Sequence, residues 1–260
     1  MDRWQRNRRH WAATLDARNL AAERRSDPRA ELGLYETLDI RRALRALGPL
    51  RGRRVLALGD GLGLAAALLA RRGAEVVIVD LAATRLAEGN RNLAVLSPGC
   101  RAAAVAGLAE FLPLADASVD ALLTKSVLIH TDLPRAAAEL NRVLRPGGRG
   151  VFIEPTPHNP FVRAYRRLAA PKVWEHITTY FGDGEVGALA AGFPGARVRV
   201  RRSHFLAFFA LAFAFAVPNA GLLRRSEAAL DGLDRALFRL WPGSRRRCWF
   251  VMVVVEKSGA

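Results

Sequence analysis

The chain reads as an α/β protein built on a mostly parallel seven-stranded sheet with helices on both faces. Three observations carry this. Short unbroken apolar runs alternate with helix-length stretches through the middle of the chain, and strands covered on both faces read as continuous apolar runs. A glycine-rich turn, Gly59-Asp60-Gly61-Leu62-Gly63, follows the first of these runs and leads into a helix. An acid, Asp80, ends the next run. With 260 residues, the chain can bury the core of one large domain.

The elements follow in order. Residues 2–24 read as a helix carrying Trp4, Trp11, Leu15 and Leu20, and 29–47 as a second helix stopped by Gly48-Pro49. Strands are expected at 54–58, 76–79, a weak alanine-rich 102–105, 119–124 and 150–154. Helices are expected between them at 62–72, 83–95 and 133–143. After Pro155 the alternation breaks. Helical segments at 161–169 and 173–181 form an insert after the fifth strand, 198–202 returns to the sheet, 222–240 is a helix and 249–255 a last strand. Residues 1–260 are thus expected to form a single domain: an N-terminal helical cap (1–48), a core (50–155), and an insert with sheet completion (156–260).

Composition narrows the function classes. The chain is 51% hydrophobic and 25% charged, as in a soluble globular protein. The start, MDRWQRNRRHW, has no apolar segment of the secretory type. The longest apolar run, Phe205–Val217, has 13 residues, against the roughly 20 that span a bilayer. It suits a buried element or a surface-docking segment. Cys100 and Cys248 stand apart from each other and from any metal-ligand pattern, so no metal is expected and a reducing cytoplasm is the expected setting. The net charge is +16, nearly all of it arginine. Scattered arginine without interleaved aromatics fits codon bias better than a nucleic-acid groove.

The glycine loop carries the sharpest signal. Glycine permits a tight turn and close ligand approach, and the helix that follows presents N–H groups to an anionic moiety. Asp80 lies 21 residues beyond Gly59, where an acid can accept both hydroxyls of a ribose. A dinucleotide site also wants an acid about 20 residues on. Its third glycine, counted from Gly59, falls on Leu64, and the frame shifted to Gly61 starts too far beyond the strand.

The downstream order separates the two. Ala109-Glu110-Phe111-Leu112-Pro113-Leu114-Ala115-Asp116-Ala117-Ser118-Val119-Asp120 resembles the AExLPxxDxSxD stretch of class I methyltransferases that use S-adenosylmethionine, and Arg142-Val143-Leu144-Arg145-Pro146-Gly147-Gly148 resembles their RVLKPGG turn. With Gly59–Gly63 and Asp80 the resemblance covers about residues 50–155, and is nearest to the small-molecule group that includes the ubiquinone/menaquinone C-methyltransferases. It implies an antiparallel C-terminal strand, S-adenosyl-L-methionine as cofactor, and a cofactor site of Gly59, Asp60, Gly61, Gly63, Asp80, Leu81, Leu108, Ala109, Thr124 and Lys125. Two positions depart from the pattern. Ala57 stands where the family usually has an acid for the methionyl ammonium, with Asp60 as a substitute. Leu108 stands where an Asp often holds the adenine amino group, leaving the N–H of Ala109.

Methyl transfer is an in-line displacement in which the protein supplies proximity and desolvation. His130, after the fourth strand, is the candidate base; the alternative is a histidine that packs beside the helix capped by Thr131 or Asp132. His158 lies on the same rim, and Glu154 reads as structural. The acceptor is expected to be a small, apolar or lipid-like molecule held among Trp4, Trp11, His158, Phe161, Tyr165, Trp174, Tyr180 and the 205–217 run, with transient contact to a membrane surface as a further expectation. A non-catalytic binding protein, motivated by Ala57 and Leu108, and an RNA methyltransferase, motivated by charge alone, are the alternatives. The oligomeric state is left open.

Overall fold

A computed structural model describes residues 27–168 and 177–259. The helix expected at 2–24 and the aromatic Trp174 lie outside the described residues. Seven strands form one sheet in the order β3-β2-β1-β4-β5-β7-β6: β1 (Arg54–Leu58), β2 (Glu75–Asp80), β3 (Ala102–Ala106), β4 (Val119–Lys125), β5 (Leu144–Pro155), β6 (Arg197–Ser203) and β7 (Phe250–Glu256). The first five pair in parallel, and β7 runs antiparallel between β5 and β6. Successive side chains in a strand point to opposite faces. Val55 and Ala57 therefore join one core cluster while Leu56 and Leu58 join the other.

Nine helices among the described residues cover the sheet: α1 (Pro28–Tyr35), α2 (Leu38–Leu47), α3 (Leu64–Ala70), α4 (Ala83–Leu96), α5 (Leu133–Val143), α6 (Pro160–Leu168), α7 (Asp183–Ala191), α8 (Phe208–Ala216) and α9 (Ala220–Leu240). In α2 the buried Ile40, Ala43, Leu44 and Leu47 repeat at helical spacing and form one apolar stripe. In α5, Asp132 caps the start by accepting from the Arg135 N–H at 3.3 Å, and Ala136, Ala137, Leu140 and Val143 are buried.

Several expectations are corrected. The stretch 29–47 is two helices, because the buried Glu227 accepts from the N–H of Leu38 at 2.9 Å and starts a new helix there. Helix α7 was not anticipated; its Glu185 accepts from the Gly182 N–H at 2.9 Å. Residues 178–181 are not helical. The turn at Pro146-Gly147-Gly148 sits inside β5 as an irregularity in its pairing with β4. Within the 205–217 run only α8 is helical; Phe205, Ala207 and Ala210 are buried, whereas Phe209 and Phe213 are exposed. No helix among the described residues is long and apolar enough to cross a membrane.

One buried carboxylate ties the sheet to the segment that follows β4. Glu154, fully buried on β5, accepts from the N–H groups of Val127 (3.2 Å), Leu128 (3.0 Å) and Ile129 (3.4 Å) and from the Thr124 hydroxyl (3.3 Å). These donors lead into a 3-10 turn at Leu128–His130. Burial raises the carboxyl from 4.5 to about 7, against the pull of the N–H groups. The folded state then holds a proton that the unfolded chain has released, so stability falls as pH rises from about 4.5 to about 7.

Glu154→Ala should destabilise the fold by roughly 3 kcal/mol, because several buried donors lose their acceptor. Glu154→Gln should cost less and flatten the decline in stability over that pH window. Urea unfolding at several pH values checks both.

Candidate functional site

In an open parallel sheet, a crevice forms where the strand order reverses, outside the carboxyl ends of the strands. Here the reversal lies between β1 and β4, which pair from Val55↔Ala121 to Leu58↔Thr124. The carboxyl ends of β1, β2, β3 and β4 deliver Gly59, Asp80 with Leu81, Leu108 with Ala109, and Lys125, and with His130 these residues all line one cleft of about 260 Å³. Asp60, Gly61, Gly63 and Thr124 are not on that lining. The Thr124 hydroxyl is turned to Glu154. His158 is exposed and off the cleft.

The glycine loop is shaped by close packing. Gly59 has φ +71°, and a Cβ there would come within 2.3 Å of Val127. Gly63 has φ +72°, and a Cβ would meet the carbonyl oxygen of Gly89 on α4 at 2.8 Å. The start of α3 is satisfied by the chain itself: Asp60 accepts from the N–H groups of Ala65 (3.1 Å) and Ala66 (2.7 Å). This corrects the expectation that those groups face a ligand. Burial raises Asp60 to about 7, opposed by these N–H groups and reinforced by the nearby charge of Asp80. Ala57 is fully buried in an apolar cluster.

Asp80 accepts from the Ala82 N–H at 2.9 Å. Burial raises its carboxyl, with the Ala82 N–H, the Arg85 charge and the Gly61 N–H pulling the other way. Arg85, in the first turn of α4, also lines the cleft, and its side chain lies over Gly61: a Cβ at Gly61 would sit 2.5 Å from Arg85 Cβ and 2.8 Å from Asp80 Oδ2. Sequence reasoning missed Arg85, although a residue five after Asp80 on the first helical turn faces back towards the loop.

A second group of charges stands behind the cleft. Lys125 Nζ lies 4.8 Å from the centroid of the Tyr35 ring. It has no hydrogen bond or ion pair among the described residues. Burial lowers its pKa, while Asp39 and Glu227 hold it up. Those carboxylates flank the buried His204, with Nδ1 at 2.9 Å from Asp39 Oδ2 and Nε2 at 3.2 Å from Glu227 Oε1. Ser203 donates to Asp39 at 2.6 Å. Burial alone would push the imidazole down, but the two acids raise it to about 9. The pair Tyr35 and Asp39, His204, and Glu227 come from three separate parts of the chain, and no local pattern marks them.

His130 lies on the wall between the cleft and a neighbouring cavity of about 550 Å³. Its Nδ1 is 3.3 Å from the carbonyl oxygen of Ile177. Of the aromatic residues expected around an acceptor, Phe161 packs on Phe209 with ring centroids 4.7 Å apart, and Tyr180 carries the Arg166 guanidinium 3.5 Å from its centroid.

Residues 56–152 match a family described as a methyltransferase domain. A demethylmenaquinone methyltransferase of Clavibacter sepedonicus is 39% identical over 141 residues, which cover 52% of this chain and 56% of that protein. The chain spans about half the length of the curated relatives it matches. Among solved structures, the geranyl diphosphate C-methyltransferase of Streptomyces coelicolor A3(2), in complex with S-adenosyl-L-homocysteine, aligns with a TM-score of 0.57 at 19% identity over 84% of this chain and 76% of that one. A cyclase aligns with a TM-score of 0.59 at 18% identity over 85% and 82%. Likeness at this identity establishes the fold. The sheet order and the cleft at its reversal agree with the match of residues 56–152 to a methyltransferase domain.

Proposed function

We propose that the protein transfers a methyl group from S-adenosyl-L-methionine to a small-molecule acceptor. The observation that carries this reading is the convergence of the four strand ends on one cleft with Asp80 on its wall. The residues fit the cofactor. Gly59 brings bare backbone to the cleft where a side chain would collide. Asp80 stands to accept from the ribose hydroxyls, and Leu81, Leu108 and Ala109 flank an adenine. Asp60 holds the loop in place through α3. The bound cofactor supplies an electrophilic methyl group on a sulfonium. The protein aligns the acceptor and excludes water.

Two cleft residues address the acceptor. Lys125 presents a desolvated ammonium to an oxyanion, as of an acidic phenol, an enol or a carboxylic acid. His130, on the same wall, can take up a proton. The exposed Phe209, Phe213 and Tyr165, which lie off the cleft lining, offer apolar surface that favours an acceptor with an apolar body. A non-catalytic binding role is the second reading, favoured by the buried Ala57.

Calorimetry should show binding of S-adenosylmethionine and S-adenosylhomocysteine but not of NAD or NADP; tight NAD binding with no response to the methyl-cycle pair would contradict the reading. Asp80→Ala should weaken S-adenosylhomocysteine binding by about 1.5–3 kcal/mol, the scale of a lost charged hydrogen bond.

A labelled-methyl assay should detect turnover on acidic lipophilic phenols, quinols or carboxylic acids rather than on RNA. Cofactor binding with no turnover on any acceptor would favour the non-catalytic role. Lys125→Met should raise the acceptor KM while leaving the dissociation constant of S-adenosylhomocysteine unchanged.

A further inference from the structure

We propose that a second cavity, away from the cleft, binds a small organic phosphate. It measures about 600 Å³ and lies between α2, α9 and the sheet face of β6 and β7, a size typical of small-molecule sites. It shares no lining residue with the cleft.

Its wall carries five arginines, Arg42, Arg45, Arg199, Arg201 and Arg235, against one carboxylate, Asp231. The single acid serves two of them: Asp231 Oδ2 is 2.6 Å from Arg42 Nη2 and 3.3 Å from Arg235 Nε. Arg199 reaches Glu256 at 2.7 Å, an acid it shares with Arg149. Arg201 has no ion pair among the described residues; burial and then the charge of Arg42 lower its pKa. Arg42 is 10% exposed, and its Nη1 is buried without a hydrogen-bond partner.

A composition rich in arginine scatters solvated guanidiniums over a surface. It does not account for one that is desolvated, with a buried unpartnered donor, beside several like charges. A buried donor without a partner is costly, and crowded like charges repel. An anion with several oxygens offsets the like-charge repulsion, because guanidinium forks match phosphate in paired hydrogen bonds. The floor between the arginines is apolar, with Met252 and Val254 in register with Arg201 and Arg199, and accommodates the organic part. The lack of aromatic residues on the wall favours a small molecule over a nucleic acid.

The test is calorimetry at low and high salt on wild type, Arg201→Gln and Ala228→Glu, with circular dichroism to confirm folding. Ala228 is an exposed residue of α9 on the rim, so the second variant adds a competing carboxylate and leaves every arginine in place. The probes are inorganic phosphate, pyrophosphate and phenyl phosphate. Saturable, salt-sensitive binding is expected, tighter for phenyl phosphate than for inorganic phosphate. Each variant should weaken it at least about tenfold, as for the loss of a charged hydrogen bond, with S-adenosylhomocysteine affinity unchanged. The proposal is overturned if none of the probes binds, or if the variants bind them as wild type does, which would place the anion elsewhere, such as at Lys125. It is also overturned if transfer RNA binds through these residues while the small phosphates do not.

Discussion

The parallel pairing of β1 with β4 is the constraint on which the site depends. From β1 the sheet grows one way through β2 and β3, and the chain then returns to pair β4 on the other side of β1. The segments leaving β1 and β4 must part, and the space between them is the cleft. The two departures are also locked together. Gly59 passes so close to Val127 that no Cβ fits, and Val127 is itself held through its N–H by Glu154. The buried carboxylate on β5 thus sets the height of the β4 segment, and that segment sets which residue can occupy position 59.

A second dependence runs through charge. Asp39 on α2, His204 after β6 and Glu227 on α9 form a buried ionic cluster that joins three elements far apart in sequence. Removing one partner of such a cluster leaves an uncompensated buried charge, a loss of about 3–5 kcal/mol. The same two acids oppose the downward pull of burial on Lys125 at the edge of the cleft. A group that joins the N-terminal helices to the sheet therefore also sets the electrostatics of the face assigned to the acceptor. On the outer side of α2, Arg42 and Arg45 turn to the phosphate cavity, so one short helix borders both regions.

The parts of this architecture legible in the sequence are those set by local physics. Continuous apolar runs such as VVIV and FVMVVV marked the strands, and Gly48-Pro49 marked the end of the helical stretch before β1. The glycine loop and Asp80 were legible because their spacing follows from a strand, a turn and a helix in succession. The break between α1 and α2 was not, because its cause is a carboxylate at position 227. Helix α7, rich in alanine and glycine, has no apolar stripe to announce it. Asp60 was legible as a loop acid, but only the folded loop shows its oxygens directed to Ala65 and Ala66. Asp39, His204 and Glu227 act only through one another, and no window of sequence contains them together.

The central claim, that the crevice between β1 and β4 holds S-adenosylmethionine, is tested most directly by amide hydrogen exchange with and without S-adenosylhomocysteine. Protection should appear at the backbone of Gly59–Gly63, Leu81–Ala82 and Leu108–Ala109, and not at Arg199–Arg201 on β6. Exchange at those three segments that the ligand leaves unchanged, or protection confined to other parts of the sheet, would contradict the account.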